Sequence, residues 1–284
     1  MTGSSTRTFV VPDGTRLSYR AFAAAHGAEG ETPVVLLHAT LSASVQLVGL
    51  ARLLAARGSV FALDRRGSGE SCMPVPRPLD VAVHVADVAA LLDAEGIAAA
   101  ILVGHSFGGV VALEGAARLP ERTSAVVAWE PPYGPLAGTG TRAGFATVAA
   151  ATERAHAAGG AVAAAAAFLD GVAGDGAWQM LPDRARAFLV AQGDGAFADA
   201  ALTGLDPVGL SRIVAPVTIL TGTASESFYA PIAGAVVERI AGARLVVLNA
   251  LRHAAPITEP NAVAAAILEA IARAGIPAHL EIHE

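Results

Sequence analysis

The segment Ala100–Gly109, AILVGHSFGG, constrains the fold of this chain more than any other part of the sequence. Its apolar residues are typical of a buried strand, the strand ends in Gly104-His-Ser106-Phe-Gly108-Gly109, and the following VVALEGAARL is typical of a helix. In that setting a G-x-S-x-G turn forces the serine into a strained, exposed position, and the flanking glycines let the turn close. The helix N-terminus beneath Ser106 also favours developing negative charge. A chance Gly-Ser-Gly turn in a chain rich in alanine and glycine is the alternative.

Length and composition limit the class of protein. The 284 residues have room for one large α/β domain or two small ones, and much of the 54% hydrophobic content is alanine. No run of about eighteen strongly apolar residues is free of charge, glycine or proline, so no membrane-spanning helix and no membrane partner are predicted. The N-terminal MTGSSTRTFVVPDG lacks the order of a signal peptide. We therefore expect a cytoplasmic protein.

Cysteine content and charge limit the partners. Cys72 is the single cysteine, which excludes an internal disulfide and a cysteine-based zinc site. The net charge is −6 and every basic residue is an arginine, so we expect no nucleic-acid partner. The acidic balance favours a neutral, largely apolar small molecule as substrate. The sequence leaves the oligomeric state open, a homodimer included.

Strand-like and helix-like segments alternate, which predicts a mostly parallel sheet with helices on both faces. Thr8–Pro12 and Leu17–Ala23, joined by Asp13-Gly14, predict an opening antiparallel pair. Further strands are predicted at Val34–His38, Val60–Asp64, Ala99–Val103, Ala125–Trp129, Val217–Thr221 and Leu245–Leu248. Helices are predicted at Leu47–Arg57, Asp80–Glu95, Ala230–Ile240 and Asn261–Arg273.

The pattern changes between residues 131 and 207. Alanine-rich helical stretches are broken there by Gly159-Gly160 and Gly174–Gly176, and no apolar strand is evident. We predict that residues 131–207 form a helical cap over the C-terminal edge of the sheet, where ligands bind in open α/β folds. Residues 1–130 and 208–284 then form the core. A flexible low-complexity excursion is the alternative.

Taken together, five ordered features resemble the α/β-hydrolase superfamily over nearly the whole chain. They are the strand end VLLHA, the turn DRRGSGES at Asp64–Ser71, the GHSFGG turn, the predicted cap insertion and the late segment LNALRHAAPITEP. The resemblance implies an α/β-hydrolase fold with an eight-stranded sheet, a serine nucleophile at Ser106, a histidine base and an acid. Such chemistry needs no metal or organic cofactor.

The base implied by the resemblance is His253, because it follows the last strand by a short loop. A neutral serine hydroxyl is a poor nucleophile at pH 7 and needs a base within hydrogen-bond reach. Of the other histidines, His105 is expected to pack beside the turn, and His38 to support the loop after its strand. His279 and His283 are expected in a mobile tail.

The acid is where the sequence departs from the common pattern of the family. Members usually carry aspartate three residues beyond the glycine that follows Val217–Thr221, and Ser225 stands there instead. The neighbouring Glu226 is offset by one residue. Glu130 ends an earlier apolar strand in VVAWEPPYG, and a carboxylate buried there without a partner would be costly. Glu130 is therefore the predicted acid, Glu226 the second choice, and the absence of a working acid the third.

A narrower resemblance supports Glu130, which follows the earlier strand, as the acid. The EPP segment after the strand and the segment GTASESFY at Gly222–Tyr229 together are similar to a subset that includes lactone hydrolases of the zearalenone type. In that subset the acid follows this earlier strand.

The oxyanion hole is expected to use backbone N–H groups. One belongs to Phe107, directly after Ser106. The second is assigned by position to Thr40, with Leu41 left open, in a loop where Ala39 replaces the usual glycine and disfavours a positive φ.

These residues predict a serine hydrolase of carboxylic esters or lactones that works through Ser106, His253 and Glu130. Carbon–carbon bond hydrolysis, or a lyase or cyclase step with the same triad, is an alternative, and so is a non-catalytic binding module. Candidate substrate-binding residues, which could equally be cap core, are Leu41, Tyr133, Phe168, Trp178 and Met180.

Overall fold

A computed structural model describes residues 4–28, 30–200 and 204–276 of the chain. The predicted tail with His279 and His283 lies outside these residues.

Eight strands form one sheet in the order β1-β2-β4-β3-β5-β6-β7-β8. Their bounds are β1 Ser4–Val10, β2 Arg16–Phe22, β3 Val34–Leu37, β4 Val60–Asp64, β5 Ala100–His105, β6 Thr123–Trp129, β7 Val217–Gly222 and β8 Arg244–Leu248. Strand β2 pairs antiparallel with β1 and β4, and all other neighbours are parallel. The predicted eight-stranded, mostly parallel sheet is confirmed.

Helices cover both faces of the sheet, as predicted. Those outside the insertion are α1 Val48–Leu54, α2 Val81–Ala94, α3 Phe107–Arg118, α8 Tyr229–Val237, α9 Ala255–Thr258 and α10 Pro260–Arg273. One core cluster joins the sheet to α2, α3 and α8, and a second joins it to α1 and α10. Because the central strands are buried on both faces, their sequences are continuously apolar rather than alternating.

Element ends differ from the predictions where local caps decide them. Helix α2 begins after Asp80, whose carboxylate accepts a hydrogen bond from the Ala82 N–H at 2.8 Å. The helix predicted at Leu47–Arg57 starts as a 3-10 turn over Ser44–Leu47 and ends at Leu54, so it lies three residues earlier in the chain than its apolar pattern indicated.

Four helices lie between β6 and β7, and the structure shows no strand among the described residues of this segment. They are α4 Thr139–Ala173, α5 Ala177–Met180, α6 Asp183–Val190 and α7 Gly193–Ala200. Helix α4 is interrupted by non-helical backbone at Gly159 and Gly160. A small apolar core holds these helices together around Ala165, Trp178 and Ala196, and Leu41 joins it from the sheet side.

By length and mean hydropathy alone, α4 is the one helix of the described chain that could cross a membrane. A single helix that passes this test is weak evidence, and the break at Gly159-Gly160 divides it. The expectation that the protein has no membrane partner stays a prediction.

Candidate active site

Ser106 occupies the sharp turn between β5 and α3, with φ of 54° and ψ of −122°. This is one of four non-glycine residues with positive φ in the described chain, and such strain persists only where the surroundings enforce it. A Cβ atom on Gly104 would lie 2.2 Å from the Gly108 carbonyl oxygen, and one on Gly108 would lie 2.3 Å from that of Leu37. The turn therefore closes only with glycine at both positions.

His253 and Glu130 are held together next to this turn. His253 Nδ1 lies 2.8 Å from Glu130 Oε2. The other carboxylate oxygen, Oε1, accepts hydrogen bonds from the Thr221 hydroxyl at 2.9 Å and from the Gly222 N–H at 2.8 Å. Glu130 is 0% exposed, so it is a buried carboxylate that faces three hydrogen-bonding groups. Its backbone has a positive φ of 45°.

These donors decide the charge of Glu130. Burial raises the pKa of the carboxyl, but the hydrogen bonds from His253 and from the Gly222 N–H outweigh it and leave that pKa below its ordinary value. Ser225 Oγ makes no hydrogen bond of standard geometry with a described residue. It nevertheless lowers the pKa of Glu130, as His253 and the Gly222 N–H do. Glu130 is consequently an anion at neutral pH that faces the ring nitrogen of His253.

The His253 ring is also fixed by neighbouring rings and through its own backbone. Tyr229 stacks on it with 4.4 Å between ring centroids and 9° between planes, and His105 lies 4.9 Å away on a tilted plane. The His253 carbonyl oxygen is 2.9 Å from His105 Nε2 and accepts from Trp129 Nε1 at 3.0 Å. Burial and the neighbouring His253 lower the pKa of His105 well below its ordinary value, so His105 serves as a neutral support.

Ser106 and His253 line the same cavity, at the C-terminal edge of the sheet. Among the described residues the His253 ring is hydrogen-bonded to Glu130 through Nδ1, and its Nε2 is not hydrogen-bonded to the Ser106 hydroxyl. Catalytic hydrogen bonds of this kind are often long in the free enzyme and tighten in the substrate complex.

Glu226, the second candidate acid, lines the cavity but makes no hydrogen bond to His253. The one-residue offset noted in the sequence therefore separates it from the imidazole, and Glu130 occupies the position beside Nδ1.

The loop after β3 meets the turn at Ser106. Phe107 is the first residue of α3, so its N–H has no acceptor inside the helix. The N–H of Thr40 donates to no described residue, and both residues line the cavity. The positive φ in this loop falls on Leu41, at 55°, rather than on Ala39, which explains how the loop accommodates alanine in place of glycine.

The cavity has a volume of about 690 Å³. Its walls are mostly apolar, and the insertion contributes Phe145, Val148, Phe168, Leu169, Val172 and Leu189. Two polar side chains on the sheet side, Ser42 and Gln46, are joined by a 2.7 Å hydrogen bond from the serine hydroxyl to the Gln46 carbonyl oxygen, which leaves the amide NH₂ without a described protein partner.

Leu41 and Phe168 lie in this cavity wall, but three predicted substrate-binding residues do not. Tyr133 is 0% exposed and donates its hydroxyl proton to Glu114 inside the core. Trp178 packs in the apolar core of the inserted helices. Met180 is 86% exposed on the outer surface. These three predictions are wrong because tertiary packing sets side-chain orientation, both in the loop after β6 that holds Tyr133 and on α5, which holds Trp178 and Met180.

No group of three or more metal-ligating side chains is found within residues 4–28, 30–200 and 204–276.

A comparison with known protein families shows which family the chain belongs to. The family model described as the alpha/beta hydrolase family matches residues 34–266. The chain belongs to the α/β-hydrolase family. This match includes the Ser106 turn and the loop with His253.

Individual curated relatives of this α/β hydrolase match it over a smaller part of the chain than the family model does. It is 40% identical over 72 residues to the lipase LipV of Mycobacterium tuberculosis, covering 25% of this chain and 27% of that protein. The chain spans only 27% to 42% of the length of the three curated relatives that it matches.

Solved structures match over more of the chain. A hydrolase from Pseudomonas aeruginosa PA01 has a TM-score of 0.77 and 26% identity, covering 94% of this chain and 98% of that one. The enol-lactonase of Burkholderia xenovorans LB400 has a TM-score of 0.75 and 22% identity, covering 94% and 100%, and is similar in fold. The narrower resemblance to lactone hydrolases of the zearalenone type stays a prediction.

Two residues of this α/β-hydrolase site were missed from the sequence, Tyr229 and Trp129. Each acts on His253 from a distant part of the chain, by ring stacking or by a bond to its carbonyl oxygen. The only available signal was the aromatic pair that ends the segment GTASESFY.

Proposed function

We propose that this chain is a serine hydrolase that cleaves a carboxylic ester or lactone of a neutral, largely apolar small molecule. One observation carries the proposal. Ser106, on its strained turn, shares a cavity with His253, and Nδ1 of His253 is held 2.8 Å from the buried carboxylate of Glu130. A serine next to an oriented imidazole is the arrangement that acyl transfer requires.

Each group has one role in this mechanism. His253 Nε2 takes the proton of Ser106 as the serine oxygen attacks the carbonyl carbon, and the imidazolium then gives that proton to the leaving alcohol oxygen. Water attacks the acyl-enzyme with His253 again as base, and collapse of the second tetrahedral intermediate releases the acid and restores the Ser106 hydroxyl. The Glu130 anion fixes the tautomer with Nδ1 protonated and stabilises the imidazolium.

The N–H groups of Phe107 and Thr40 are proposed as the oxyanion hole. Both residues line the cavity beside Ser106, and neither N–H is used by the described protein. Such donors need no reorganisation as charge develops, and losing one costs about 3 kcal/mol of transition-state stabilisation.

The cavity supports the choice of substrate class. A volume of about 690 Å³ is in the range of drug-sized ligand sites, and its walls are largely apolar. The free amide of Gln46 offers one donor for a polar group on the ligand. The names of relatives, a lipase and an enol-lactonase among them, favour ester or lactone bonds.

Labelling with a fluorophosphonate tests the proposal, because the reagent reacts with an activated serine and mimics the tetrahedral intermediate. Intact mass and peptide mapping are expected to show one label on Ser106, and none in Ser106→Ala. A panel of p-nitrophenyl esters and aryl-substituted lactones is then expected to give turnover that Ser106→Ala lacks. A folded wild-type protein that is neither labelled nor active on the panel would contradict the proposal and favour a binding module.

A further inference from the structure

A buried ion pair joins the inserted helices to the turn after β4. Asp199 lies near the end of α7, and Arg65 directly follows β4. The guanidinium binds both carboxylate oxygens, with Nη1 to Oδ1 at 2.7 Å and Nη2 to Oδ2 at 2.6 Å. Both side chains are almost completely buried, so the pair is formed in a bidentate geometry out of contact with solvent.

The same guanidinium holds the backbone of the loop after β3, residues 38–41, which we call the oxyanion loop because it contains the Thr40 N–H. Arg65 Nε donates to the His38 carbonyl oxygen and Nη2 to that of Ala39, each at 3.1 Å. The peptide bond between Ala39 and Thr40 is trans, so fixing the Ala39 carbonyl toward Arg65 directs the Thr40 N–H to the opposite side. Hydrogen bonds to a carbonyl also polarise the N–H of the same peptide group.

His38 adds a second donor to this carbonyl. Its Nε2 accepts from the backbone N–H of Arg65 at 2.9 Å, which places the ring proton on Nδ1, 2.7 Å from the Ala39 oxygen. Burial and the charge of Arg65 lower the pKa of His38 to about 3, so this tautomer is neutral throughout the physiological range.

Asp199 also binds the loop directly. Thr40 Oγ1 donates to Asp199 Oδ2 at 2.8 Å, so one carboxylate fixes both the side chain of Thr40 and the arginine that orients its peptide group. The Arg65 guanidinium carbon lies 4.8 Å from the centre of the Phe107 ring, next to the other proposed oxyanion donor.

Helix α7 is seated on the core beside this pair. The Gly195 N–H donates to the Gly67 carbonyl at 3.1 Å, and the Gln192 side-chain oxygen accepts from the Gly69 N–H at 2.6 Å. Both partners belong to the turn that follows Arg65, so the seating of α7 and the position of Arg65 are linked.

We propose that Asp199 is a positioning residue through which the inserted helices set the geometry of the oxyanion hole; this inference rests on the proposed function. With α7 seated, Asp199 holds Arg65 and Thr40 so that the Thr40 N–H faces the cavity. When Asp199 is lost, the loop loses both restraints while the apolar substrate walls stay in place.

Asp199→Asn tests the inference, with Asp194→Asn as the matched control. Asp194 lies on the same helix, pairs with His156 at 2.9 Å and does not line the cavity. For Asp199→Asn we expect kcat on p-nitrophenyl butyrate and the rate of fluorophosphonate labelling of Ser106 to fall together, about 10- to 100-fold, with KM within threefold of wild type. Asp194→Asn is expected to stay within threefold in all three values, and circular dichroism melts check that both variants fold.

Other outcomes separate the two proposals. A wild type that is neither labelled nor active overturns the proposed function and this inference with it. Three outcomes overturn the inference but leave the proposed function standing, each with an active wild type. They are an Asp199→Asn variant as fast as wild type, an Asp199→Asn variant in which only KM changes, and an equal loss of kcat in Asp194→Asn.

If Asp199→Asn does not fold, Thr40→Val tests the inference instead. This variant removes only the hydrogen bond from the Thr40 hydroxyl to Asp199 and leaves the Asp199–Arg65 ion pair intact. A several-fold loss of kcat that Thr40→Ser restores supports the inference, and unchanged kcat in Thr40→Val overturns it.

Discussion

His253 Nδ1 lies 2.8 Å from Oε2 of Glu130, a residue that directly follows strand β6. The other oxygen of this carboxylate is bound by Thr221 and Gly222 at the end of the neighbouring strand β7. Glu130 therefore reaches across to the strand end where family members usually carry the acid. This placement explains how a chain with Ser225 at the usual acid position still holds a carboxylate against its histidine.

Replacing Glu130 tests which carboxylate orients the imidazole. Glu130→Gln keeps the shape of the side chain but removes the charge that stabilises the imidazolium, so kcat is expected to fall by about 10³- to 10⁴-fold. Glu226→Gln, the matched control in the same cavity, is expected to stay within threefold. Steady-state kinetics on one ester substrate measures both, and a larger loss in Glu226→Gln would transfer the role to that residue.

Ser225 offers a second test of the same geometry. Because Ser225 stands where family members usually carry the acid, and its hydroxyl lowers the pKa of Glu130, a carboxylate at this position is expected to reach His253. Glu130→Gln combined with Ser225→Asp is expected to recover at least tenfold of the kcat lost in Glu130→Gln alone. Glu130→Gln combined with Ser225→Asn supplies the uncharged control, and equal rates in the two double variants would contradict the expectation.

The stack of Tyr229 on His253 is predicted to contribute to catalysis through ring orientation. An aromatic pair of this kind is worth about 0.5–1.5 kcal/mol, so Tyr229→Leu is expected to lower kcat by about 2- to 10-fold. Tyr229→Phe retains the ring and is expected to stay within twofold. If Tyr229→Phe loses as much as Tyr229→Leu, the hydroxyl of this cavity-lining residue is the group that matters.

Local patterns in the sequence were sufficient for the fold and for the Ser106 turn. Buried parallel strands are continuous apolar runs, and the requirement for glycine at positions 104 and 108 follows from backbone contacts within a few residues. The expectation for Glu130 rested on the cost of burying an unpaired carboxylate and on the narrower family resemblance, and the structure places three donors around that side chain.

Contacts between distant segments were beyond the reach of those patterns. Arg65 and Asp199 are 134 residues apart in the chain, and nothing in either local sequence indicates that they meet. Tyr133 and Met180 looked alike as candidate cavity residues, yet one is in the core and the other faces outward, because tertiary packing sets the direction of side chains in the loop after β6 and on helix α5.

Cavity contacts predict how substrate use responds to mutation. Phe168 lines the cavity and Met180 does not, although both belong to the inserted helices. Phe168→Ala is expected to lower kcat/KM for an apolar ester by about five- to tenfold through lost apolar contact, whereas Met180→Ala stays within twofold. A panel of esters with increasing acyl length measures both, and an equal response of the two variants would argue against this cavity as the substrate site.

Acid is predicted to destabilise the protein through His38. Its folded pKa is about 3, below the ordinary value of 6.5, so between these values the unfolded chain binds the additional proton. The free energy of unfolding therefore falls as pH decreases from about 6.5 toward 3, and His38 contributes a slope of up to about 1.4 kcal/mol per pH unit. Burial of His105 acts in the same direction.

Urea unfolding of the wild type and of His38→Gln at pH 7, 6 and 5 measures this contribution. We expect the carboxyl groups to titrate alike in both proteins, including Asp64 and Asp87, whose pKa values are raised by burial, so the difference in slope isolates His38. His38→Gln is expected to be less stable at pH 7, because the hydrogen bonds to Arg65 and Ala39 are altered, but to lose about 1.4 kcal/mol less per pH unit between pH 6 and 5. Parallel slopes would mean that His38 is protonated in the folded protein, and a protonated Nε2 could no longer accept the Arg65 N–H that helps to hold the oxyanion loop.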